Sequence, residues 1–219
     1  MFREHEQCWD QTLRNLCREM FLLDPVSSHF FLTGSAALAV FWLGHRKVDN
    51  LDFFTTEDID FHAFGMYLKN KYGKGVLAAN DQYILLVEAG NKVSFAKDHL
   101  SLKVKRPAFC LDGVDIRVDT LENLIANKMS AFVSRFSRND ALDVMCLLRL
   151  AKDSREMAAR MILGARRTEV LAEDTRYVAS LLEDMQEIYP DIAKRFDREI
   201  DTMREVITSF DAGIDEIYR

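Results

Sequence analysis

The sequence predicts an α+β fold in which a mixed β-sheet with flanking helices is followed by a C-terminal helical bundle. Short apolar strands lie between about residues 25 and 118, and helical periodicity continues from Thr120 onward. Hydrophobic residues make up 48% of the 219 residues, which is enough to form a core and excludes a disordered chain. We therefore predict an N-terminal helix with an α/β core over 1–118 and a helical domain over 119–219.

Helix and strand signals alternate in the first third of the chain. The predicted helices carry apolar residues at helical spacing, and the predicted strands are short apolar runs. Breaks fall at Asp24-Pro25 and at Gly34-Ser35. The predicted elements are a helix over 3–23, a strand over 30–32, a helix over 36–43 closed by Gly44, a strand over 51–55 and a helix from Thr56 to about Tyr72.

The middle of the chain is predicted to be rich in strands and the remainder to be helical. Residues 82–88 and 92–96 flank the turn Ala89-Gly90-Asn91, which indicates a β-hairpin. Residues 102–105 and 114–118 alternate apolar and polar residues in the same way. The predicted helices that follow span about 120–136, 139–151, 153–166, 171–188 and 190–209, the last beginning at Pro190.

The net charge of −6 is distributed unevenly along the chain. Residues 169–219 contain 14 acids and 6 bases, whereas residues 1–168 contain 21 acids and 23 bases. The excess of acids therefore belongs to the C-terminal helices, and the rest of the chain is mildly basic. A net negative charge argues against a nucleic-acid partner in general, but here it does not exclude a nucleotide or RNA partner for residues 1–168.

Several features predict a cytoplasmic protein without a membrane span. The N-terminal residues MFREHEQCWDQ lack an apolar run and a cleavage site, so no signal peptide is expected. The longest uncharged run, residues 30–44, is shorter than the roughly 20 residues that a membrane helix needs. The cysteines form no CxxC pair and are predicted to be reduced core thiols at positions 8, 17, 110 and 146.

Gly34-Ser35 lies between a predicted strand and a predicted helix. A helix N-terminus offers free backbone N–H groups and the positive end of the helix dipole, which together bind phosphate. Glycine allows a phosphate to approach the backbone closely, and Ser35 adds a hydroxyl donor. The same pair is also typical of a simple turn with an N-cap, so both interpretations stay open from this pair alone.

The strand after this helix carries two oxygen ligands. Residues i and i+2 of a strand project to one face, so Asn50 and Asp52 point together while Leu51 and Phe53 point towards a core. Two oxygen ligands near a phosphate-binding helix start are a typical arrangement for Mg²⁺ and a nucleoside triphosphate. The pattern therefore predicts Asn50 and Asp52 as metal ligands.

Two stretches of the chain resemble a known family. The stretch FLTGSAALAVFWLGHRKVDNLDFF is similar to the signature of the AbiEii-like nucleotidyltransferases. These are toxin components of type IV abortive-infection systems, within the DNA polymerase beta-type nucleotidyltransferase superfamily. The stretch VDIRVDTLENLIANKMSAFVSRFSRNDALDVMCLLRL is similar to the later family motifs: a Lys inside a helix, then an Arg, then an Asp-x-x-Asp helix. Both blocks occur in the family order and cover about residues 29–150.

The resemblance implies a nucleotidyltransferase-type sheet and a Mg²⁺-dependent transfer of NMP from an NTP to an acceptor hydroxyl. It also implies an RNA acceptor such as tRNA, and a toxin-like role that a cognate antitoxin protein counters. The residues that the family pattern assigns to catalysis are Asp52, Lys128 and Asp140. Those it assigns to nucleotide binding are Gly34, Ser35, Arg46 and Arg135.

The chain departs from the family pattern at two carboxylates. The first strand acid is replaced by Asn50, and a later hairpin acid is replaced by Ser94. An amide or a hydroxyl can contact Mg²⁺ but supplies no charge. A second hypothesis is therefore a catalytically degenerate protein of this fold that binds nucleotide, RNA or protein. A third hypothesis treats the acidic helices in 169–219 as a protein-interaction or oligomerisation surface.

The helical residues of the motif also have structural interpretations. Lys128 falls on an apolar helix stripe, where it either extends to solvent at the edge of the stripe or directs its charge into a site. The resemblance places Asp140 facing Lys128. Without the resemblance, Asp140 would complement a helix dipole, and Asp143 would pair with Arg149 or Arg135.

Basic residues near the predicted site also leave two interpretations open. Arg46 either holds a phosphate in a bidentate manner or is a solvated loop residue. Residues 92–106 contain five basic residues against one acid, Asp98. This segment either guides a nucleic acid or protects a sheet edge; its basic residues are Lys92, Lys97, Lys103, Lys105 and Arg106.

Overall fold

The computed structural model describes residues 4–211. It divides into two compact units, with the boundary between Leu121 and Glu122. The start of the helix predicted over 3–23 and the end of the acidic C-terminal segment beyond Asp211 lie outside the described residues. The first unit contains strands and helices, and the second contains helices.

The first unit alternates helices with strands. Its helices are α1 (Gln11–Phe21), α2 (Asp24–His29), α3 (Gly34–Ala36) and α4 (Phe61–Tyr72). Its strands are β1 (Phe31–Thr33), β2 (Asn50–Thr55), β3 (Val76–Ala79), β4 (Tyr83–Glu88), β5 (Asn91–Lys97), β6 (Ala108–Leu111) and β7 (Val114–Arg117). Helix α3 continues as a π-helical segment, Ala37–Leu43, that ends at Gly44.

Five of these strands form one mixed sheet in the order β1-β2-β5-β4-β3. Strands β2 and β5 run parallel, and the other neighbouring pairs are antiparallel. Strands β6 and β7 form a separate two-stranded antiparallel sheet. The predicted α+β class with a mixed sheet is therefore confirmed, and so is the predicted hairpin, which is the β4–β5 pair.

The buried face of the sheet is lined with phenylalanine. Phe53 of β2 stacks on Phe95 of β5 with ring centroids 5.2 Å apart. Phe30 and Phe64 contact Phe95 edge-on, with centroids at 5.3 and 5.1 Å. Burying each such side chain contributes about 1.5–3 kcal/mol. Because Phe64 lies on α4, this helix covers the buried face, and Asp52 of β2 and Ser94 of β5 lie on the opposite face.

The alternation of β2 agrees with the sequence prediction. Leu51 and Phe53 are buried, whereas Asn50 is exposed and Asp52 is half-buried on the other face. The strand register places Asp52 opposite Thr33 of β1 and opposite Ser94 of β5.

Several predicted boundaries in the first unit are wrong. The helix predicted from Thr56 begins at Phe61, because the Asp60 side chain accepts a hydrogen bond from the Ala63 N–H and caps the helix there. Asp24-Pro25 ends α1 as predicted but also begins α2, where proline fits the first turn. The helix predicted over 3–23 begins only at Gln11. Residues 102–105 form no strand, and strands β3 and β6 were not predicted.

The described residues of the second unit fold into helices. These are α5 (Leu121–Arg135), α6 (Arg138–Leu150), α7 (Ser154–Arg166), α8 (Thr175–Ile188), α9 (Pro190–Arg195) and α10 (Asp197–Asp211). The first three agree with the predicted bounds to within one residue. The single helix predicted over 190–209 is instead divided at Phe196, whose φ of −123° and ψ of 31° are not helical.

Two further predictions concern the thiols and the membrane. All four cysteines are free, and three are buried as predicted, but Cys110 on β6 is exposed. Across residues 4–211, no helix combines the length and the apolar composition that crossing a membrane requires.

Candidate functional site

Gly34 lies directly against the carboxylate of Asp52. A Cβ atom at position 34 would come within 2.6 Å of Asp52 Oδ2, and Gly34 has a φ of +66°. Residues other than glycine rarely adopt this backbone φ. The proximity follows from the sheet register, because Thr33, the residue before Gly34, pairs with Asp52. The structure therefore brings these two predicted site residues together.

Ser94 lies on the other side of Asp52. Its Oγ donates a hydrogen bond of 2.5 Å to Asp52 Oδ1, and the two residues are paired in the parallel register of β2 and β5. A carboxylate at position 94, the residue type expected there from the sequence resemblance, would therefore stand beside Asp52. In this chain the position supplies a neutral hydroxyl instead of a second charge.

Ser35 and Arg46 are also brought together. Arg46 Nη2 donates to Ser35 Oγ at 2.7 Å, and Arg46 Nη1 donates to the carbonyl of Lys47 at 3.1 Å. A hydroxyl and a guanidinium at a helix start suit the oxygens of a phosphate. The helix itself departs from the predicted α-helix over 36–43 because it becomes π-helical after Ala36. Such π-helical turns occur frequently at functional sites.

The metal-ligand set is smaller than a two-metal centre requires. Within residues 4–211, no group of three or more His, Cys, Asp or Glu side chains could hold a metal ion. Asn50 is exposed on the same face as Asp52 and pairs with Lys92 of β5. The two predicted ligands on this face of β2 are one carboxylate, Asp52, and one amide, Asn50. This set fits a single Mg²⁺ whose remaining ligands are water and substrate phosphates, and it does not fit two resident ions.

Asp119 was not singled out from the sequence, although it is fully buried beside the site strand. Its Oδ2 accepts a hydrogen bond of 2.9 Å from Thr33 Oγ1, and its Oδ1 accepts one of 3.0 Å from the Thr120 N–H. Arg106 Nε lies 3.4 Å from Asp119 Oδ1, and its guanidinium stacks over Phe31 at 3.5 Å. Asp119 ends an apolar strand and directly precedes a helix, and this sequence pattern could have indicated a buried, hydrogen-bonded carboxylate.

Arg106 differs from the other members of the basic segment. Burial lowers the pKa of its guanidinium, and the neighbouring Asp119 carboxylate opposes that shift. Lys97 instead forms an ion pair with the exposed Asp58. Arg106 therefore stabilises the strand before Gly34, while Lys97 pairs at the surface.

In the second unit, Lys128 is buried and pairs with Asp143. Lys128 Nζ lies 2.7 Å from Asp143 Oδ2, and the exposed fractions of the two side chains are 5% and 0%. Asp143 therefore pairs with Lys128 and not, as the alternative had it, with Arg149 or Arg135, whose ion-pair partners are Glu199 and Asp140. A buried ammonium requires a buried carboxylate, and Asp143 is the fully buried acid of α6.

Asp140 instead organises the start of α6. Its Oδ1 accepts a hydrogen bond of 2.8 Å from Arg135 Nη2, and its Oδ2 accepts one of 2.6 Å from Ser137 Oγ. Ser137 Oγ also accepts from the Asp140 N–H at 3.2 Å, so Ser137 is the N-cap. Arg135 is 64% exposed, whereas Asp140 is buried. These contacts match the structural interpretation of Asp140, a carboxylate at a helix start.

No model of a known protein family matches the chain, and no curated protein sequence matches it. The chain is similar, at low sequence identity, to three solved structures. JHP933 from Helicobacter pylori is 14% identical, with a TM-score of 0.49 over 96% of this chain and 99% of that chain. An antigenic nucleotidyltransferase-like protein from Paracoccidioides brasiliensis is 11% identical, with a TM-score of 0.45 over 92% and 95%.

The third is the nucleotidyltransferase toxin MenT4 from Mycobacterium tuberculosis. It is 13% identical, with a TM-score of 0.44 over 68% of this chain and 62% of that chain. Membership of the AbiEii-like family stays a prediction from the sequence.

Proposed function

We infer that the protein binds an NTP and transfers its NMP to an acceptor hydroxyl, with release of pyrophosphate. The observation that carries this proposal is the position of the Asp52 carboxylate directly against Gly34, at the start of a helical segment. The Ser35–Arg46 pair lies at the same helix start. One carboxylate beside a glycine, a hydroxyl and a guanidinium suits a metal-bound triphosphate.

Each of these residues has a distinct role in the proposal. Gly34 lets phosphate oxygens approach the backbone because it has no side chain, and Ser35 and Arg46 donate hydrogen bonds to them. Asp52, with Asn50, would hold one Mg²⁺ carried by the triphosphate. When bound, Mg²⁺ neutralises charge on the phosphoryl group that is transferred. The chain's own contribution is then to position the nucleotide and to stabilise charge.

The finer parts of the proposal rest on the sequence resemblance. It supports an RNA acceptor such as tRNA, and a toxin-like role in the cytoplasm with a cognate antitoxin. It also supports charge stabilisation by Lys128, nucleotide binding by Arg135 and acceptor orientation by Asp140. The acidic C-terminal helices remain a proposed oligomerisation surface.

A second candidate function is nucleotide binding without catalysis. The observation that favours it is the hydrogen bond from Ser94 to Asp52, because a neutral hydroxyl occupies the place of a second carboxylate. The two candidate functions predict different results when the NTP is labelled. Nucleotidyl transfer predicts labelled NMP on an acceptor, and binding without catalysis predicts none. Binding of an NTP is common to both.

Calorimetric titration of the four NTPs, with Mg²⁺ and with a chelator, tests the shared part of the proposal. We expect Mg²⁺-dependent binding of at least one NTP, and Asp52→Asn is expected to lose the Mg²⁺-dependent part. Asp201→Asn, which changes an exposed carboxyl of α10, is the matched control. NTP binding that depends on neither Mg²⁺ nor Asp52 would contradict the site.

A further inference from the structure

The sheet face that carries Asp52 is organised in rows by the strand register. Residues paired across neighbouring strands project to the same face. One row contains Asp52 and consists of Thr33, Asp52, Ser94 and Leu85. The adjacent row consists of Phe31, Phe54, Ala96 and Tyr83. The second row therefore presents aromatic side chains on the same face as the candidate site.

The two ends of this second row differ in accessibility. Phe31 is buried beneath the Arg106 guanidinium, which lies 3.5 Å from its ring centroid. Tyr83 is 37% exposed, and Phe54 and Ala96 are half-buried. We define the aromatic row as Phe54, Ala96 and Tyr83. Since strands lie about 4.8 Å apart, the two aromatic residues stand about 10 Å apart with only a methyl group between them.

The aromatic row lies on the opposite side of Asp52 from Gly34. Because β1 and β2 are antiparallel, the chain that leaves Thr33 for Gly34 runs towards the Asn50 end of β2. Phe54 lies two residues beyond Asp52 in the other direction, at a spacing of about 7 Å. That spacing is comparable to the span of a ribose. Asp52 therefore lies between the proposed phosphate-binding residues and the aromatic row.

Tyr83 is also within electrostatic range of Asp52. The pKa of the Tyr83 phenol is raised, first by burial and then by the negative charge of Asp52. This agrees with the register, in which Tyr83 and Asp52 lie on neighbouring rows of one face.

We propose that the aromatic row of Phe54, Ala96 and Tyr83 binds a nucleobase by stacking, next to the phosphates held at Gly34. The inference rests on the proposed function and specifies its substrate contact. Flat aromatic rings stack on any base, because every base has a π-face. Between the two rings the register places Ala96, whose side chain is a single methyl group. The base belongs either to the NTP or to the terminal nucleotide of an RNA acceptor.

The test compares ligands with and without a base. Tyr83→Ala is titrated with each NTP, with a short single-stranded RNA and with inorganic tripolyphosphate. We expect a loss of about 5- to 150-fold in affinity for the base-containing ligand, the range known for base–aromatic stacking. We expect no change for tripolyphosphate. A loss confined to the NTP assigns the row to the donor nucleotide, and a loss confined to RNA assigns it to the acceptor.

Three further variants serve as checks. Tyr83→Phe keeps the ring and is expected to retain the affinity of the wild type. Tyr67→Ala removes a tyrosine of α4 that is 41% exposed. We expect this variant to bind NTP, RNA and tripolyphosphate with the affinities of the wild type. Ala96→Leu fills the space between the rings and is expected to weaken the same ligand as Tyr83→Ala. Thermal unfolding of each variant confirms that it folds.

Two results would overturn the inference while leaving the proposed function intact. In the first, Tyr83→Ala binds NTP and RNA as tightly as the wild type. In the second, it loses tripolyphosphate affinity to the same extent as NTP affinity, which would show that the effect is independent of the base. A wild-type protein that binds neither NTP nor tripolyphosphate would overturn the proposed function, and this inference with it.

Discussion

The carboxylate of Asp52 lies so close to Gly34 that a Cβ atom at position 34 would stand 2.6 Å from its Oδ2. No real Cβ tolerates such a contact with a fixed neighbour. The two residues are separated along the chain by the helix and loop between β1 and β2, yet the antiparallel register brings them together. This contact joins the proposed phosphate-binding turn to the proposed metal ligand.

Gly34→Ala is expected to abolish Mg²⁺-dependent NTP binding, because the added methyl group would displace the Asp52 carboxylate. The substitution also costs about 1–2 kcal/mol for a non-glycine residue in the left-handed region. The matched control is Gly113→Ala, where φ is +81° and no atom lies within 4 Å of the added Cβ. The control should lose similar stability and keep NTP binding, as measured by calorimetry and denaturant unfolding. Equal NTP binding by the two variants would contradict the role of the contact.

Ser94→Asp is expected to create a stronger divalent-cation site, because position 94 pairs with Asp52 and its Oγ already lies 2.5 Å from Asp52 Oδ1. Without Mg²⁺, two neighbouring carboxylates repel each other and lower stability. Mg²⁺ should therefore raise the melting temperature of Ser94→Asp more than that of the wild type. Ser94→Asn, which adds similar volume without charge, should behave as the wild type does. An identical response to Mg²⁺ in Ser94→Asp and Ser94→Asn would rule out the predicted geometry.

Lys128→Met is expected to lower the free energy of unfolding by about 3–5 kcal/mol, since it leaves a buried carboxylate without its ammonium partner. Asp143→Leu should have a comparable effect, and the double variant should cost less than the sum of the two. Glu122→Gln breaks the exposed pair with Arg160 and should cost less than about 1 kcal/mol. Urea unfolding of the wild type, the two single variants and the double variant measures the coupling. Additive effects of Lys128→Met and Asp143→Leu would show that the ion pair contributes no coupling energy.

The pH dependence of stability should depend on Glu199. Arg149 donates hydrogen bonds of 2.9 and 2.8 Å to its two carboxylate oxygens. These bonds hold the pKa of Glu199 below its ordinary value of 4.5, although burial opposes the shift. The folded state thus gains stability that is fully present above that value and is lost as the pH falls through the folded-state pKa.

Glu199→Gln should remove this contribution. Unfolding free energies measured between about pH 6 and pH 3 should differ between the wild type and Glu199→Gln at the upper end, and the difference should shrink as the pH falls. A difference that stays constant over this range would mean that the carboxyl has the same pKa in the folded and unfolded states.

The sequence predicted features that depend on local periodicity. The alternation of β2 places Asn50 and Asp52 on one face, as expected from residues two apart in a strand. The apolar stripe of α5 left two interpretations of Lys128 open, solvent contact at the edge of the stripe or a charge directed into a site, and the side chain is in fact buried beside Asp143. These features follow from short-range rules, because the side-chain direction in a helix or strand repeats with a fixed period.

Features that depend on long-range register could not be predicted in this way. The hydrogen bond between Ser94 and Asp52 requires the parallel pairing of two strands about forty residues apart in the chain. The choice of Asp143 over Asp140 as the partner of Lys128 depends on how α5 and α6 pack. The contacts of Asp119 with Thr33 and Arg106 likewise depend on long-range packing, although its position between a strand and a helix is a local signal.

The central claim is that Asp52 supports the transfer of NMP to an acceptor. The most direct test incubates the wild type with total RNA, Mg²⁺ and each of the four NTPs labelled at the α-phosphate, in parallel with Asp52→Asn. The proposal predicts labelled RNA with at least one NTP for the wild type and none for Asp52→Asn. Absence of label with all four NTPs, or equal labelling by Asp52→Asn, would contradict it.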